Sequence, residues 1–311
     1  MPRITACICT YDRYDLLPKA IASLERQSLA PAAFRILVVD NTPDEARARE
    51  EARRHAAIPN LVYRWEKTPG LSNARNVGTQ ECGTEFIAFM DDDALASPRW
   101  LAEILEGFDR FGAEVMIVGG KVVPMWEVPR PSWLHDGLLG HVSAIDWGGG
   151  ARIAADNEWF AGTNISFRVS ALKRHGGFSR SLGRIGSGAA LLSNEEIELI
   201  EAIRAAGGKL VYMPDAMVEH LVEKRRLTRQ WFRKRLAWQA ASDFILSPEK
   251  AIAKSKTYWP AILDYYQALP PEQRSVRGLF FDTEDPNLFN WQLGVVYMMT
   301  TLHLSGFEGA G

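Results

Sequence analysis

The chain has 311 residues, of which 47% are hydrophobic and 24% are charged, and its formal net charge is −2 at pH 7. These proportions are ordinary for a soluble globular protein, and they exclude a disordered chain and a bundle of membrane helices. The near-neutral charge also excludes a general nucleic-acid binder, which would carry a strong excess of Lys and Arg.

Short apolar runs alternate with helical patterns over the first 90 residues. The predicted strands are 4–9, 34–39, 61–65 and 86–90, and the predicted helices include 16–24 and 44–55 and a third that opens over 70–78. This alternation indicates βαβ units and a mostly parallel sheet. Because ligands bind beyond the carboxyl ends of such strands, the polar residues at three of those ends, 10–13, 40–41 and 91–93, should converge.

Beyond residue 100 the predicted strands and helices no longer alternate regularly. The elements predicted there are strands at 115–123 and 209–213 and helices at 194–204 and 231–244. The apolar stretch 288–304 is short for a bilayer span and polar residues interrupt it, so it is predicted to be a buried or surface-docked helix. We predict an α/β domain over 1–224 and a helical extension over 225–311.

The three cysteines, Cys7, Cys9 and Cys82, show neither a disulfide framework nor a zinc spacing, which fits a reducing compartment. The first five residues lead directly into a strand, and no signal-peptide pattern precedes it. We therefore expect a soluble, cytoplasmic protein.

Three adjacent carboxylates, Asp91, Asp92 and Asp93, follow the fourth predicted strand. Such a cluster is costly unless a cation lies among the carboxylates, and a divalent ion that also binds substrate phosphates is a common solution. Residues at i and i+2 of extended backbone point the same way, so Asp91 and Asp93 can share one ion. The alternative is a solvated acidic turn that caps the next helix.

Further motifs accompany this triplet in a fixed order. They are Cys-Thr-Tyr-Asp-Arg at 9–13, Val-Val-Asp at 38–40, Gly-Leu-Ser-Asn-Ala-Arg-Asn at 70–76, Gly-Thr-Asn-Ile-Ser-Phe-Arg at 162–168, Gly-Gly-Phe at 176–178, Ser-Asn-Glu-Glu-Ile-Glu at 193–198, Tyr-Met-Pro-Asp-Ala at 212–216, and His220. The set resembles glycosyltransferase family 2, whose members are inverting enzymes with the GT-A fold. The resemblance covers residues 3 to 225, and it implies an α/β GT-A domain that uses a nucleotide-sugar donor and Mn²⁺ or Mg²⁺.

The resemblance also implies a site for the donor nucleotide. Asp40 would accept the N3–H of uracil, which favours a UDP-sugar, and Arg75 would help to hold the nucleotide. Thr10 and Tyr11 would line the base and ribose pocket. The other residues expected in the donor site are Asp12, Arg13, Asn73, Asp91 and Asp92. Asp12 stands where many relatives have Asn, and Asn41-Thr42 replaces a commoner acidic-Gly-Ser turn.

The metal ligands and the base follow from the same resemblance. Asp93, with Asp91, would bind the metal ion, and His220 would complete the metal shell. A base must take the proton of the acceptor hydroxyl, and the family places an acid there after a mobile loop, here 182–192. We predict Glu196 as the base and Glu195 as the second candidate. The alternative is that both are first-turn glutamates favoured by the helix dipole, with Asn194 or Ser193 as the cap.

The acceptor is predicted to be a saccharide or a lipid-linked molecule. Asn164, Trp159 and Trp133 are candidate sugar contacts, although core packing is an equal alternative for the tryptophans. The basic amphipathic stretch 224–238 could contact an anionic membrane surface at the inner face, or it could pack on the protein.

Two other enzyme classes are excluded. Residues 1–30 contain no glycine, so the phosphate loop of a nucleotidyltransferase and the G-x-G-x-x-G of a dehydrogenase are both missing. A catalytically inactive nucleotide- or glycan-binding module of the same fold remains as the alternative function.

Overall fold

The computed structural model of the chain describes residues 1–184 and 190–306. These residues form two compact units. The sheet unit comprises the described parts of 1–125, 143–189 and 195–221, and the helical unit comprises 126–142, 190–194 and the described part of 222–311. The domain boundary between 224 and 225 lies near the last of these divisions and stays a prediction.

Within the described residues, nine strands form one sheet. They are β1 Ile4–Thr10, β2 Phe34–Asp40, β3 Leu61–Trp65, β4 Phe86–Asp91, β5 Ala94–Ala96, β6 Val115–Trp126, β7 Arg152–Ile153, β8 Ile165–Arg168 and β9 Lys209–Val222. Their order is β3-β2-β1-β4-β8-β6-β9-β5, and β7 pairs with β9. The neighbours β3, β2, β1 and β4 run parallel, whereas β8 runs antiparallel to β4. The predicted α/β class is confirmed.

The central strands are buried on both faces of the sheet. Ile8 and Val38 point into one apolar core, and their neighbours Cys7 and Leu37 point into the other. Helices that flank the sheet cover both cores, as parallel strands require. These helices are α1 Leu17–Glu25, α2 Glu45–Arg54, α3 Leu71–Glu81, α4 Trp100–Phe111, α5 Val169–Arg174 and α6 Glu195–Ala205.

Strand β9 is much longer than the predicted strand at 209–213. It continues through Pro214 to Val222, and Ala216, Val218 and His220 are buried while their neighbours are more exposed. This is the period of two that a strand with one buried face shows. The extension matters because it carries His220 to the site described below.

The helical unit contains α7 Arg229–Leu246, α8 Pro248–Lys256, α9 Trp259–Ala268, α10 Val276–Leu279 and α11 Pro286–Ser305. Helix α11, predicted from the stretch 288–304, packs against α7 and α8. Trp133 is 6% exposed and makes edge contacts with Phe232 and Phe289, at ring-centroid distances of 5.6 and 4.9 Å. Trp133 therefore belongs to the core of this unit, and its expected role as a sugar platform is not supported.

Most arginines in α7 are engaged inside the helical unit. The guanidinium of Arg229 lies 5.3 Å from the ring centre of Trp133, and that of Arg233 lies 5.7 Å from that of Phe289. Arg235 is 8% exposed and donates to Gln239 at 2.8 Å. A membrane contact through 224–238 stays a prediction, and it would depend on exposed cations such as Lys224, Arg225 and Lys234.

Across the described ranges 1–184 and 190–306, none of the helices combines the length and the apolar character that a membrane span requires.

Candidate active site

Three strands end side by side in polar residues. Thr10 of β1 lies opposite Asp40 of β2, and Cys9 of β1 lies opposite Asp91 of β4. Because neighbouring parallel strands end at the same edge of a sheet, the polar segments that follow them meet there. The predicted convergence is therefore present.

Asp91, Asp93 and His220 form a group whose ligand atoms all lie within 4.8 Å of one another. His220 Nε2 is 3.2 Å from Asp93 Oδ1 and 4.0 Å from Asp91 Oδ2. His220 reaches this position because the pairing of β5 with β9 sets it opposite Ala94. The structure thus brings the three predicted metal ligands together.

This donor set fits a divalent ion. Carboxylate oxygens suit Mg²⁺ and Mn²⁺, and a neutral imidazole nitrogen favours a transition metal such as Mn²⁺. The side chains of Asp93 and His220 are each 2% exposed, whereas that of Asp91 is 31% exposed. An ion held here would therefore keep one side open to the oxygens of a substrate.

The remaining carboxylate of the triplet is held by Thr10 and Arg13. Thr10 Oγ1 donates to Asp92 Oδ2 at 2.7 Å, and Arg13 Nη1 lies 3.3 Å from Asp92 Oδ1 and 2.8 Å from Asp93 Oδ2. Burial, and next the charge of Asp93, raise the pKa of Asp92 to about 7. Thr10 and Asp92 are almost fully buried. A direct contact of either side chain, or of Arg13, with a nucleotide stays a prediction.

Arg75 is a buried cation among three carboxylates. Its Nη1 lies 2.9 Å from Glu195 Oε1 and 3.5 Å from Glu196 Oε1, and its Nη2 lies 3.8 Å from Asp91 Oδ1. Burial alone would lower the pKa of this guanidinium, but the charges of Glu196, Glu195 and Asp91 raise it above its ordinary value overall. Arg75 therefore links the candidate metal site to the predicted bases. The nucleotide contact expected for it stays a prediction.

The two glutamates at the start of α6 differ in exposure. The side chain of Glu195 is 4% exposed and that of Glu196 is 16% exposed. Burial, and next the charge of Glu196, raise the pKa of Glu195 to about 7. Glu196 is the more accessible carboxylate, which supports its place as the first candidate for the base.

Gly162 fixes the position of Glu196. Its backbone N–H donates to Glu196 Oε1 at 2.9 Å. A Cβ at Gly162 would lie 2.0 Å from Arg75 Nη2 and 2.4 Å from Glu196 Oε1, so a side chain here would displace the end of one of these residues. The sequence contains the motif at 162–168, but this contact could not be read from it, because Gly162 and Glu196 are far apart in the chain.

Asp40 is completely buried and accepts three hydrogen bonds. The hydroxyls of Tyr14 and Tyr63 donate to its Oδ2 at 2.8 and 2.7 Å, and the backbone N–H of Thr42 donates to its Oδ1 at 2.8 Å. The sequence does not identify these two tyrosines as partners of Asp40, because neither lies in a motif. The uracil contact of Asp40 stays a prediction, and Oδ2 can make it only after one of the two tyrosine hydroxyls moves away.

Other predicted nucleotide residues lie near the same strand ends. Tyr11 is partly exposed. Asp12 has a φ of 54°, which is uncommon for a residue with a side chain, and its carboxylate lies 2.6 Å from Arg47 Nη1. Asn73 is nearly buried and donates to the carbonyl of Thr68 at 2.9 Å. The part each plays in nucleotide binding stays a prediction.

Asn164, a candidate sugar contact, has a structural role instead. It is 1% exposed; its amide nitrogen donates to the carbonyls of Lys121 and Ala216, and its amide oxygen accepts from the indole N–H of Trp100. All these bonds cross-link neighbouring elements. Trp159 is partly buried and packs edge-to-face on Trp147.

The loop predicted at 182–192 is described only in part, since 185–189 lie outside the described residues. Its first residues contact the start of α3. Ser72 Oγ donates to the carbonyl of Leu182 at 3.0 Å, and Leu71 N donates to the carbonyl of Arg184 at 2.9 Å.

Residues 5–173 match the model of a protein family described as glycosyl transferase family 2. The chain belongs to this family. It is therefore an enzyme of the glycosyltransferase type, and activity with a nucleotide-sugar donor follows from this membership.

Several relatives match most of the chain, among them the following two. A glucosyl-dolichyl phosphate glucuronosyltransferase of Haloferax volcanii is 24% identical over 247 residues, which are 78% of this chain and 77% of the relative. The succinoglycan biosynthesis protein ExoM of Rhizobium meliloti is 28% identical over 249 residues, which are 78% of this chain and 75% of the relative.

Solved structures confirm the GT-A type of fold. The mannosyltransferase PcManGT of Pyrobaculum calidifontis, in complex with GDP-Man and Mn²⁺, superposes with a TM-score of 0.56 at 19% identity, covering 100% of this chain and 76% of that one. Residues 1–349 of S. aureus TarS, in complex with UDP, superpose with a TM-score of 0.54 at 16% identity, covering 98% of this chain and 92% of that one.

Proposed function

We propose that the chain is an inverting glycosyltransferase that moves a sugar from a nucleoside-diphosphate sugar, with a UDP-sugar favoured, to a hydroxyl group of its acceptor. One observation supports this most: Arg75 contacts both Asp91 of the candidate metal group and Glu196 of the predicted base pair. The group that would hold the metal ion and the proposed base therefore both lie beside one buried cation.

Asp91, Asp93 and His220 are the residues that would hold the metal ion, Mn²⁺ or Mg²⁺. When bound, such an ion supplies positive charge that stabilises the departing diphosphate. Arg13, which contacts Asp93, adds a second cation beside this group. We expect the phosphates to approach from the side of Asp91, because it is the most exposed of the three.

Glu196 is the proposed base. Its carboxylate takes the proton of the acceptor hydroxyl while that oxygen bonds to the anomeric carbon, and the bond from that carbon to the diphosphate oxygen breaks on the opposite face. Configuration at the carbon is therefore inverted. The N–H of Gly162 and the guanidinium of Arg75 hold the carboxylate in place. Glu195 is the second candidate, and its burial argues for a supporting part.

The names of the relatives and solved structures indicate classes of donor and acceptor. The TarS structure contains UDP and the mannosyltransferase contains GDP-Man, so nucleoside diphosphates are bound in this fold. One relative is named for a dolichyl phosphate substrate and another for succinoglycan biosynthesis. We propose a saccharide or lipid-linked acceptor in bacterial polysaccharide or glycoconjugate synthesis, with cytoplasmic action and a membrane contact through cations such as Lys224 and Lys234.

Release of nucleoside diphosphate from a panel of nucleotide-sugars, with and without Mn²⁺, tests this function. The wild type should release UDP from at least one UDP-sugar in the presence of Mn²⁺, and Glu196→Gln should lose this activity at least about 100-fold, within the range of general-base effects. Glu198→Gln, a partly exposed glutamate on the same helix, is the matched control and should keep the activity.

The alternative, an inactive binding module, gives a different result in the same assay. The wild type would bind nucleotide but release none from any donor, and Glu196→Gln would match it.

A further inference from the structure

One oxygen of the Asp40 carboxylate, Oδ2, is saturated by hydrogen bonds from within the protein. Oδ2 accepts from two hydroxyls, those of Tyr14 and Tyr63, and Oδ1 accepts from the N–H of Thr42. A carboxylate oxygen has two lone pairs, so Oδ2 has no acceptor capacity left. Asp40 is also 0% exposed, so no ligand can reach it in this arrangement.

Both tyrosines act as donors. Burial is the main reason why the pKa of Tyr63 and the pKa of Tyr14 lie above the ordinary value for tyrosine. Each hydroxyl therefore keeps its proton and donates it to Asp40. A nucleobase N–H that binds Oδ2 of Asp40 would compete with one of these two protons.

The two tyrosines differ in how firmly they are held. Tyr63 lies in β3, where it pairs with Val38 of the neighbouring strand. Tyr14 lies in the segment between β1 and α1, outside the sheet, and both tyrosines are partly buried. Its ring faces the guanidinium of Arg47 at 5.4 Å, and Arg47 is itself half exposed. Tyr14 is therefore the donor that can leave without disturbing the sheet.

We propose that the Tyr14 hydroxyl occupies the acceptor position on Asp40 that a nucleobase N–H takes when the donor nucleotide binds. This inference rests on the proposed function, because it assumes that Asp40 reads the base. Tyr14 then closes the base pocket in the free protein and weakens the binding of bases with a ring N–H at the pairing edge. Tyr63 stays bound and keeps the carboxylate oriented.

Removal of each hydroxyl in turn tests the proposal, because the two variants should change the affinity for UDP in opposite directions. Dissociation constants of UDP and CDP with Mn²⁺ are measured by calorimetry. Tyr14→Phe should bind UDP about three- to tenfold more tightly, since no hydrogen bond has to break first. CDP affinity should change less than UDP affinity, because N3 of cytosine is an acceptor and only the exocyclic N4–H could donate to Asp40. Tyr63→Phe should bind UDP more weakly.

Tyr297→Phe is the matched control. The hydroxyl of Tyr297 also donates to a carboxylate, that of Asp243 at 2.7 Å, but Tyr297 lies in the helical unit. The affinity of Tyr297→Phe for UDP should equal that of the wild type. The melting temperature of each variant without nucleotide shows that it is folded, and Tyr14→Leu replaces Tyr14→Phe should the latter not fold.

Equal or weaker UDP binding by Tyr14→Phe would overturn the inference, and so would an equal gain for UDP and CDP, which would mean only that the pocket has opened. Failure of the wild type to bind any nucleoside diphosphate with Mn²⁺ would instead overturn the proposed function. If the wild type binds GDP in preference to UDP, GDP and ADP take the places of UDP and CDP, because guanine carries N1–H and adenine does not.

Discussion

Gly162 donates its backbone N–H to Glu196 Oε1 at 2.9 Å and leaves no room for a side chain beside that carboxylate. This one contact ties the segment that precedes β8 to the first turn of α6. Its effect is to hold the proposed base at a fixed place next to Arg75. A base that is held in position contributes more to a transfer reaction than one that must be ordered first.

Gly162→Ala should therefore damage catalysis more than it damages the fold. The new Cβ would push Arg75 or Glu196 away, and we expect the transfer rate to fall by about 100-fold, as displacements of about 1 Å at reacting groups do. Gly150→Ala is the control, since a Cβ there meets nothing within 4 Å. Initial rates and melting temperatures of both variants check this, and a normal rate in Gly162→Ala would contradict the proposed position of the base.

Arg75 should prove essential for stability as well as for activity. Arg75→Met leaves Asp91, Glu195 and Glu196 without their shared cation, and loss of one partner from a buried ion pair costs about 3–5 kcal/mol. Arg75→Lys keeps the charge but not the planar fork, so it should be more stable than Arg75→Met while still impaired in transfer.

Chemical unfolding of the wild type, Arg75→Lys and Arg75→Met checks this predicted order of stabilities. Arg49→Met is the control, because Arg49 forms an exposed pair one helical turn from Glu45, and such pairs contribute at most about 1 kcal/mol. Equal stabilities of Arg75→Met and Arg49→Met would show that the buried pairs carry no net stabilisation.

The raised pKa of Glu195, about 7 against an ordinary 4.5, predicts a pH dependence of stability. Between these two values the folded chain holds a proton at Glu195 that the unfolded chain has released. The contribution of this group therefore favours folding at low pH and is lost as the pH rises through about 7.

Glu195→Gln should remove this part of the pH dependence. Melting temperatures are compared from about pH 5 to about pH 8 with EDTA present. Over this range the melting temperature of the wild type should fall by more than that of the variant. Asp92 also has a raised pKa, but it is present in both proteins, so the difference between them isolates Glu195. Parallel curves would contradict a buried Glu195 with a raised pKa.

Asp243 is the polar centre of the helical unit. Its Oδ1 accepts from Asn194 and Gln239, and its Oδ2 accepts from Tyr297 and Lys254. Asp243→Asn turns one acceptor into a donor that faces other donors, so stability should fall by about 1–3 kcal/mol. Asp264→Asn, an exposed aspartate in α9, is the control. Thermal unfolding measures the stability of both variants. A stability of Asp243→Asn equal to that of the wild type would show that these hydrogen bonds do not stabilise the fold.

Local patterns predicted much of the sheet unit. The strands near residues 4, 34 and 86 are predictable from apolar runs that end in polar residues, because a buried parallel strand must be apolar on both faces. The strand near residue 61 lies at one end of the strand order and is only partly buried. The metal group was also predictable, since Asp91 and Asp93 are neighbours in sequence. His220 was found only through the family resemblance, because the pairing of β5 with β9 that brings it there is not a local pattern.

Contacts between distant residues could not be predicted. Tyr14 and Tyr63 both reach Asp40, yet nothing in their surroundings in sequence distinguishes them from ordinary tyrosines. Trp133 and Asn164 looked suitable for sugar binding from residue type alone, but burial decided both positions. Residue type gives the chemistry that is available, whereas packing decides which atoms are exposed to use it.

The binding of UDP with Mn²⁺ or with EDTA, to the wild type and to Asp93→Asn, tests most directly whether the strand ends form a metal-dependent nucleotide site. Asp109→Asn, which changes an exposed ion pair with Arg3, is the matched control. We predict that the wild type and Asp109→Asn bind UDP at least about tenfold more tightly with Mn²⁺ than with EDTA, and that Asp93→Asn shows no such difference, because loss of one ligand carboxylate weakens the hold on the ion. Binding of UDP by Asp93→Asn with an undiminished dependence on Mn²⁺ would contradict the assignment of this site.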